Sequence, residues 1–231
     1  MLKNIKGFQP VSLIDYPGQI SAILFLSGCN MRCQFCHNPE LVLTPNQGEN
    51  FDEEKIFNYL ESRRGKIDGL VITGGEPTLQ EGLKEFIQKV KARGFLVKLD
   101  TNGLLPEKLE GLIPLVDFVA MDIKSSLQNY SSVCGVQIDP EKIKRSVELV
   151  KTAKDYEFRS TVVRSLFAKE DFVEVCNWLK GSKKYVIQQF DKRPKLINDD
   201  VKNNVIYTKE EMTDFQEYCR EYFEIVELRN I

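Results

Sequence analysis

Short apolar runs alternate with amphipathic segments along most of the chain. Runs rich in Val, Ile, Leu and Phe predict six buried strands, at residues 20–26, 69–73, 95–99, 118–121, 158–163 and 185–187. Apolar residues spaced three or four positions apart predict helices that begin near residues 52, 77, 106, 139, 172 and 208. Two of these starts carry capping signals: Asp139 precedes a proline, and Thr208 begins a capping box with Glu211.

The order of these elements predicts the fold class. Each predicted strand except the last is followed promptly by a helix, and such connections between parallel strands are right-handed. We therefore expect an α/β fold, a partial (β/α)6 TIM-like barrel of parallel strands with the active site at the C-terminal strand ends. Residues 1–231 are predicted to form one domain, with an N-terminal extension (1–19), a barrel core (20–191), and a C-terminal helix and tail (192–231).

Composition and charge narrow the class of protein. Hydrophobic residues make up 42% and charged residues 29% of the 231 residues, the profile of an ordinary globular protein. The formal net charge of -2, with acidic and basic residues interspersed, does not indicate nucleic acid as a partner. Residues 1–18 lack the pattern of a signal peptide, and no apolar run approaches the ~20 residues that span a bilayer. We therefore expect a cytoplasmic protein with reduced cysteines and no membrane partner.

Three of the six cysteines and the only histidine lie within residues 28–39, directly after the first predicted strand. Cys29, Cys33 and Cys36 have the spacing CxxxCxxC, which offers one ligand fewer than a four-coordinate metal centre needs. A four-iron four-sulfur cluster held by three cysteines keeps one iron open, whereas structural zinc would take His37 as a fourth ligand. The cysteines alone leave both interpretations open. A disulfide suits this odd-numbered trio less well, and Cys134, Cys176 and Cys219 are interpreted as unpaired core thiols.

Polar residues and glycines follow the other predicted strands. The C-terminal ends of parallel strands meet at one mouth of a barrel, so these residues are expected to face a common ligand. They are Gly74, Gly75, Glu76 and Pro77 after the second strand, Asp100, Thr101, Asn102 and Gly103 after the third, Asp122 and Lys124 after the fourth, Arg159 within or after the fifth, and Gln188, Gln189 and Asp191 after the sixth.

Each group also has a purely structural interpretation. Gly74 and Gly75 suit a tight turn as well as a close approach of bare backbone to a ligand. Asp100 would serve in an Asx turn, and Arg159 would pair with Glu157 at the surface. The basic run at residues 192–195, near the expected mouth, is predicted to be a solvated charge run.

Four motifs in order resemble the radical S-adenosylmethionine (SAM) superfamily. They are GCNMRCQFCHNPEL, ITGGEPTLQ, LDTNG and MDIK, and the resemblance extends from about residue 7 to residue 191. Within the superfamily they are similar to the activating enzymes of glycyl-radical proteins, most closely those of anaerobic ribonucleoside-triphosphate reductase. The resemblance implies that Cys29, Cys33 and Cys36 hold a single 4Fe–4S cluster whose open iron binds SAM. It implies SAM contacts from Phe35, His37, Gly74, Gly75, Glu76, Asp100, Asp122, Lys124 and Arg159.

The resemblance also implies a reaction. The reduced cluster would cleave SAM to a 5'-deoxyadenosyl radical, which takes a hydrogen atom from a glycine of a partner glycyl-radical enzyme. A one-electron donor such as flavodoxin or ferredoxin would reduce the cluster. Where pyruvate formate-lyase activators have a histidine after the sixth strand, this chain has Asp191. Two other functions are kept: a radical SAM enzyme on a small molecule, similar to 7-carboxy-7-deazaguanine synthase, and a zinc-stabilised binding module.

Overall fold

Eight strands hydrogen-bond in chain order into one sheet in the computed structural model, which describes residues 1–193 and 195–231. Strand β1 is antiparallel to β2, and every neighbouring pair from β2 to β8 is parallel. Within the described residues β1 and β8 are the two edges and do not pair, so the barrel is not closed. The strands are β1 (Ile5–Ser12), β2 (Ser21–Leu26), β3 (Gly69–Gly74), β4 (Leu96–Thr101), β5 (Phe118–Asp122), β6 (Tyr156–Val162), β7 (Lys184–Gln189) and β8 (Ile225–Arg229).

Helices connect the parallel strands. They are α1 (Pro39–Leu43), α2 (Glu53–Ser62), α3 (Leu83–Ala92), α4 (Pro106–Leu112), α5 (Tyr130–Cys134), α6 (Pro140–Val150), α7 (Lys169–Leu179) and α8 (Lys209–Cys219). Short 3-10 helices occupy Pro77–Leu79, Ile113–Leu115 and Asp199–Asn203. In the two described ranges, no helix has the length and apolar character needed to cross a membrane.

The predicted fold class is confirmed, and the six predicted strands correspond to β2 through β7. The sheet has two further strands: β1 in the N-terminal extension and β8 in the C-terminal tail. The helix expected directly after Pro77 is divided, because Gly82 adopts a φ of 79° between the 3-10 turn and α3. Of the basic run at residues 192–195, Pro194 lies outside the described residues, and the exposed Arg193 pairs with Asp191 at 2.8 Å.

Alternate residues of each strand face opposite sides of the sheet. Those facing the helices join the large apolar core, as Leu24 and Leu99 do. The inner face of the sheet carries a smaller apolar cluster, formed by Tyr16, Ile23, Val71, Phe118 and Ala120. Strand residues two positions apart point to the same side of the sheet. Charged residues that alternate with the helix-facing apolar residues therefore share this inner face.

One group of inner charges joins the last three strands. Glu157 of β6 is fully buried and accepts two hydrogen bonds from the Arg229 guanidinium of β8, both 2.9 Å long. Lys184 of β7 lies 3.3 Å from Glu157 and 2.6 Å from Glu227. A buried carboxylate is costly unless it is paired, so this network ties β8 to the rest of the sheet. The alternative interpretation of Arg159 as a surface partner of Glu157 is wrong, because Glu157 is fully buried and Arg159 pairs with Asp100 and Asp122 instead.

Candidate active site

The cysteine loop, residues 27–38, runs from the end of β2 to the start of α1. Backbone hydrogen bonds pin it to three other parts of the chain: the Gly28 amide donates to Leu41 at 2.7 Å, and the Arg32 amide to Cys134 at 2.8 Å. The Asn198 amide donates to Gln34 at 3.0 Å from the C-terminal segment. Because these anchors lie on both sides of the thiols, backbone hydrogen bonds of the protein itself fix the shape of the loop.

The three thiols of this loop have different surroundings. Burial raises the pKa of Cys29 to about 11 and also raises the pKa of Cys36. The neighbouring Cys134 thiol lowers the pKa of Cys33. Iron binds thiolates, so metal binding would release protons from Cys29 and Cys36. Cys134, interpreted from the sequence as an isolated core thiol, lies beside one of the proposed cluster ligands.

Gly74 and Gly75 bring the end of β3 against this loop. Gly74 has a φ of 124°, a backbone conformation that residues other than glycine rarely adopt. A Cβ on Gly75 would collide with the carbonyl oxygen of Gly28. The Gly75 amide donates to Leu26 at 2.7 Å. Both glycines are therefore required for the close packing of the two loops, and their backbone also lines the cavity beside the cysteines.

Glu76 has a different position from the other predicted site residues. It is fully buried, and its carboxylate accepts hydrogen bonds from the Thr78 amide and hydroxyl at 3.1 and 2.5 Å. It also accepts from the Thr101 hydroxyl at 2.8 Å and the Asn102 amide at 2.7 Å. These four donors join the β3 and β4 loops through the carboxylate, and its contact with an ammonium group stays a prediction.

Asp122 and Asp100 are linked by a guanidinium at the ends of β4, β5 and β6. Arg159 donates through Nε to Asp122 at 2.9 Å and through Nη1 to Asp100 at 3.3 Å. Asp122 also accepts from Lys124 at 3.1 Å, and the buried Lys98 donates to Asp100. Burial opposes ionisation of Asp122, but Arg159 and Lys124 outweigh it and lower its pKa to about 2. Desolvation acts to lower the pKa of Lys124, but the Asp122 carboxylate outweighs it and raises that pKa, so both groups are charged at neutral pH.

His37 packs against the end of the sixth parallel strand, β7. Its ring stacks on Phe190 with centroids 5.8 Å apart, and its Nε2 lies 3.1 Å from the carbonyl oxygen of Asp191. Burial lowers the pKa of His37, which favours the neutral imidazole. The carboxylate of Asp191 instead binds Arg193. The sequence placed Asp191 where related activators have a histidine, and the structure places His37 beside this point.

All of the predicted cofactor-binding residues except Glu76, together with the three predicted ligand cysteines, line one cavity of about 330 Å³. The predicted residues that line it are Cys29, Cys33, Cys36, Phe35, His37, Gly74, Gly75, Asp100, Asp122, Lys124 and Arg159. Within residues 1–193 and 195–231, no three Cys, His, Asp or Glu side chains are already arranged around a single metal ion. The thiols thus converge on a cavity rather than on one point.

Several lining residues were not among the predicted cofactor contacts. Asn102, Thr101, Asn38 and Gln188 all line the cavity. Asn102 belongs to the DTNG motif after β4, so its place directly beyond a strand end was a usable signal. Gln188 follows the same rule on β7, whereas nothing in the sequence around Cys134 indicated its position beside Cys33.

A second cavity of about 610 Å³ adjoins the first at the open side of the sheet. Asp15, Arg159 and Gln188 line both cavities. The outer cavity lies between the loop after β1 and the edge strand β8, and Ile14 at its rim is 83% exposed. The inner cavity is therefore accessible between the two sheet edges as well as from the strand ends.

Comparison with known proteins gives a family that is consistent with the geometry of this site. The profile of the Radical SAM superfamily matches residues 23–179. A Methanocaldococcus jannaschii protein provisionally named as a glycyl-radical enzyme activating enzyme is 36% identical over 236 residues, which cover 98% of this chain and 96% of that protein. The pyruvate formate-lyase-activating enzyme of Listeria monocytogenes is 32% identical over 154 residues, covering 62% of this chain and 56% of that enzyme. The chain belongs to the radical SAM superfamily and, within it, to the glycyl-radical enzyme activating enzymes, a family of oxidoreductase-type activases.

Solved structures show the same fold. The crystal structure of Streptococcus suis SuiB bound to its precursor peptide SuiA superposes with a TM-score of 0.68 at 13% sequence identity. The match covers 89% of this chain and 47% of SuiB. At this identity the likeness concerns the partial-barrel fold alone.

Membership of the superfamily implies a 4Fe–4S cluster and SAM as cofactors. The donor set around the cavity fits such a cluster. Three thiols line it, and beside Cys29 the side-chain amide nitrogen of Asn30 is buried without a hydrogen-bond partner among the described residues. A buried N–H group without an acceptor is rare in folded proteins, and an additional sulfur at this site would provide one.

Proposed function

We propose that this protein holds one 4Fe–4S cluster through Cys29, Cys33 and Cys36 and cleaves SAM reductively to activate a glycyl-radical enzyme. The observation that carries the proposal is that the three thiols and the charged strand-end side chains face a single cavity. When bound, the cluster and SAM supply the one-electron chemistry that lets a 5'-deoxyadenosyl radical abstract hydrogen from a glycine. The proposed partner is anaerobic ribonucleoside-triphosphate reductase, which the motif resemblance favours.

The residues of this chain bind and orient the cofactor. Lys124 is charged and lies 5.9 Å from the centre of the Phe35 ring, so a cation and an aromatic face are available side by side. This pairing suits the carboxylate of SAM at Lys124 and its adenine at Phe35. The backbone of Gly74 and Gly75 lines the cavity and offers carbonyl oxygens to the ammonium group.

The polar wall of the cavity includes Asp100, Asp122 and Arg159. Arg159 bridges both carboxylates, and each carboxylate has a lysine as a second partner, so the group is a connected network of charges. We assign to this group the orientation of Lys124 and of the polar parts of SAM. His37, held by Phe190 and the Asp191 carbonyl, lies at the adenosine end of the site. Its neutral ring suits hydrogen bonding to a sugar or base rather than proton transfer.

The outer cavity supports a protein rather than a small-molecule substrate. It is wide and open, and the exposed apolar side chains of Leu13 and Ile14 lie on the loop at its rim. Exposed apolar residues beside a cleft commonly mark contacts with another macromolecule. The electron donor, a flavodoxin or ferredoxin in this proposal, needs only to approach within transfer distance of the cluster.

The zinc-stabilised module would use His37 as a fourth ligand beside Cys29, Cys33 and Cys36. The contact of His37 Nε2 with the Asp191 carbonyl is compatible with either metal, since a zinc-bound histidine usually donates its second ring nitrogen to such a group. Membership of the radical SAM superfamily favours the iron–sulfur cluster over zinc. Metal analysis of the purified protein separates the two hypotheses directly.

The proposed function is tested by a Cys33→Ala variant, with Cys176→Ala as a matched control. Cys176 is a buried thiol on α7 outside the site, so its replacement leaves the three proposed ligands intact. After anaerobic reconstitution with iron and sulfide, we expect the unaltered protein and the control to be brown and to form 5'-deoxyadenosine from SAM and dithionite. The Cys33→Ala variant should lose the open-iron cluster and almost all of this activity.

Two results contradict the proposal. One is tetrahedral zinc without an iron–sulfur chromophore in the reconstituted protein. The other is 5'-deoxyadenosine formation by Cys33→Ala at the rate of the control, which would show that the ligand assignment is wrong.

A further inference from the structure

Asn102 lies directly after β4, almost completely buried beside the cysteine loop. Its side-chain oxygen accepts a hydrogen bond of 3.0 Å from the Leu104 backbone amide. A backbone N–H requires an acceptor, so this contact fixes which end of the side-chain amide is the oxygen. The NH2 group of Asn102 must therefore point the opposite way, toward the cysteine loop.

This NH2 group has two acceptors in the cysteine loop. One is the side-chain oxygen of Asn30 at 2.8 Å, and the other is the Sγ of Cys29 at 3.8 Å. The Met31 backbone amide also donates to the Cys29 sulfur, at 3.4 Å. Cys29 thus has one backbone and one side-chain donor, and the side-chain donor comes from a different strand end.

The backbone of Asn102 is equally well fixed. Its amide donates to the buried carboxylate of Glu76 at 2.7 Å, and the adjacent Thr101 hydroxyl donates to the same carboxylate at 2.8 Å. Because both ends of the residue are held, the side chain cannot turn away from Cys29 without breaking buried hydrogen bonds. The donor is therefore in place before the cluster binds.

We propose that Asn102 is a positioning residue of the cluster, which donates an N–H···S hydrogen bond to Cys29 and raises the reduction potential of the cluster. This inference rests on the proposed function, because it requires a 4Fe–4S cluster on Cys29. Reduction adds one electron, supplied by dithionite or a low-potential protein donor, and takes the cluster from the 2+ to the 1+ state. The added negative charge spreads onto the cysteine sulfurs, so a donor to sulfur stabilises the reduced state more than the oxidised one.

The test is an anaerobic redox titration of the reconstituted protein, followed by electron paramagnetic resonance (EPR) of the reduced cluster. Asn102→Ser retains a hydroxyl that can accept from the Leu104 amide and removes the donor to Cys29. We expect normal iron content and a roughly tenfold less favourable reduction. For a one-electron couple this is a midpoint about 59 mV more negative.

Asn198→Ala is the matched control. The Asn198 side chain also donates to the cysteine loop, at 3.2 Å, but its acceptor is the Gln34 side-chain oxygen and not a sulfur. A residue that only holds the loop should leave the midpoint unchanged when it is removed. We therefore expect the control to titrate as the unaltered protein does.

A fully loaded Asn102→Ser variant with an unchanged midpoint would overturn the inference, as would an equal shift in Asn198→Ala. If the serine variant unfolds, Asn102→Ala decides the question, because alanine removes the N–H donor and adds no charge. An unshifted midpoint in that variant would also overturn the inference. Iron loss from both Asn102 variants with unchanged thermal unfolding would show that Asn102 holds the loop rather than tunes the cluster, and would overturn the inference as well. Failure of the unaltered protein to bind a cluster would count against the proposed function instead.

Discussion

Asp122 is the negative partner of two cations in the inner cavity. Its carboxylate contacts two cations, Arg159 at 2.9 Å and Lys124 at 3.1 Å, and together they lower its pKa to about 2. An acid whose pKa is lowered in the folded state stabilises the fold above its unfolded pKa, near 4. That stability is lost as the pH falls through the folded value.

Asp122→Asn is therefore expected to change the pH dependence of stability. Above pH 5 the variant should be less stable than the unaltered apoprotein by about 2 kcal/mol, since a tenfold change in an acid dissociation constant corresponds to about 1.4 kcal/mol. The difference should shrink as the pH falls from about 4 toward 2, because protonation then removes the same charge from the unaltered protein. Urea unfolding at stepped pH measures both quantities.

The exposed Asp200, outside the cavity, provides the control for this experiment. Asp200→Asn removes the same charge from the surface and should change stability by less than about 0.5 kcal/mol. A difference between Asp122→Asn and the unaltered protein that stays constant from pH 6 to pH 2.5 would show that the carboxylate is not held ionised by its neighbours.

Individual site residues could be predicted from the sequence where a strand end fixed their position. Cys29, Asp100 and Lys124 follow buried apolar runs, and all three line the cavity. Glu76 follows the same rule but lies behind the cavity, because four donors from its own and the next loop enclose it. Which loop residues turn inward depends on hydrogen bonds between loops, and a single sequence does not reveal them.

His37 illustrates the same limit over a longer range. In the sequence, Asp191 stands where pyruvate formate-lyase activators have a histidine, because it follows the sixth predicted strand. The structure instead brings an imidazole from residue 37 to the same place, through stacking on Phe190. A contact between residues separated by more than 150 positions depends on the curvature of the whole sheet, which the local pattern does not encode.

Helix ends were the most predictable elements of the chain. Asp52, Asp139 and Thr208 each cap the helix that their position indicated, with a side-chain oxygen accepting from a backbone amide in the first turn. Capping depends on residues only two or three positions apart, so the sequence contains all the information that it needs.

Thr208→Ala tests the capping box of α8. The Thr208 hydroxyl accepts from the Glu211 amide at 3.2 Å, and the Glu211 carboxylate accepts from the Thr208 amide at 2.7 Å. Loss of the cap should lower the free energy of unfolding by about 1 kcal/mol, measured by urea denaturation.

Thr213→Ala in the middle of the same helix is the matched control. Thr213 is exposed, and its hydroxyl donates back to the Lys209 carbonyl at 2.9 Å, a contact that does not stabilise a helix. Alanine has the higher helix propensity, so this variant should be as stable as the unaltered protein or slightly more stable. Equal losses in the two variants would indicate that the threonine hydroxyl does not act as a cap.

The two strands that the sequence did not predict have a common explanation. Strand β1 is buried mainly at its ends, and β8 alternates apolar residues with Glu227 and Arg229. A pattern rule expects the inner face of a strand to be apolar, yet here the inner face carries charges that find partners on β6 and β7. Only the assembled sheet supplies those partners.

The two edges of the sheet, β1 and β8, remain apart in the whole molecule. Seven parallel strands leave a gap between the β1–β2 loop and β8, and the outer cavity fills this gap. The inner cavity, with its thiols and charges, opens into it through Asp15, Arg159 and Gln188. An enzyme that acts on a glycine within another protein needs such an opening beside its cofactor, since the target backbone must reach the reacting atoms.

The most direct test of this account is EPR of the proposed target. The reconstituted protein, SAM and dithionite are incubated anaerobically with the anaerobic ribonucleoside-triphosphate reductase of the same organism, and Cys33→Ala serves as the control. We predict a glycyl-radical doublet on the reductase with the unaltered protein and none with Cys33→Ala. A doublet on a different glycyl-radical protein alone would change the partner and keep the class of enzyme. Rapid formation of 5'-deoxyadenosine without a doublet on any glycyl-radical protein would contradict the proposed function.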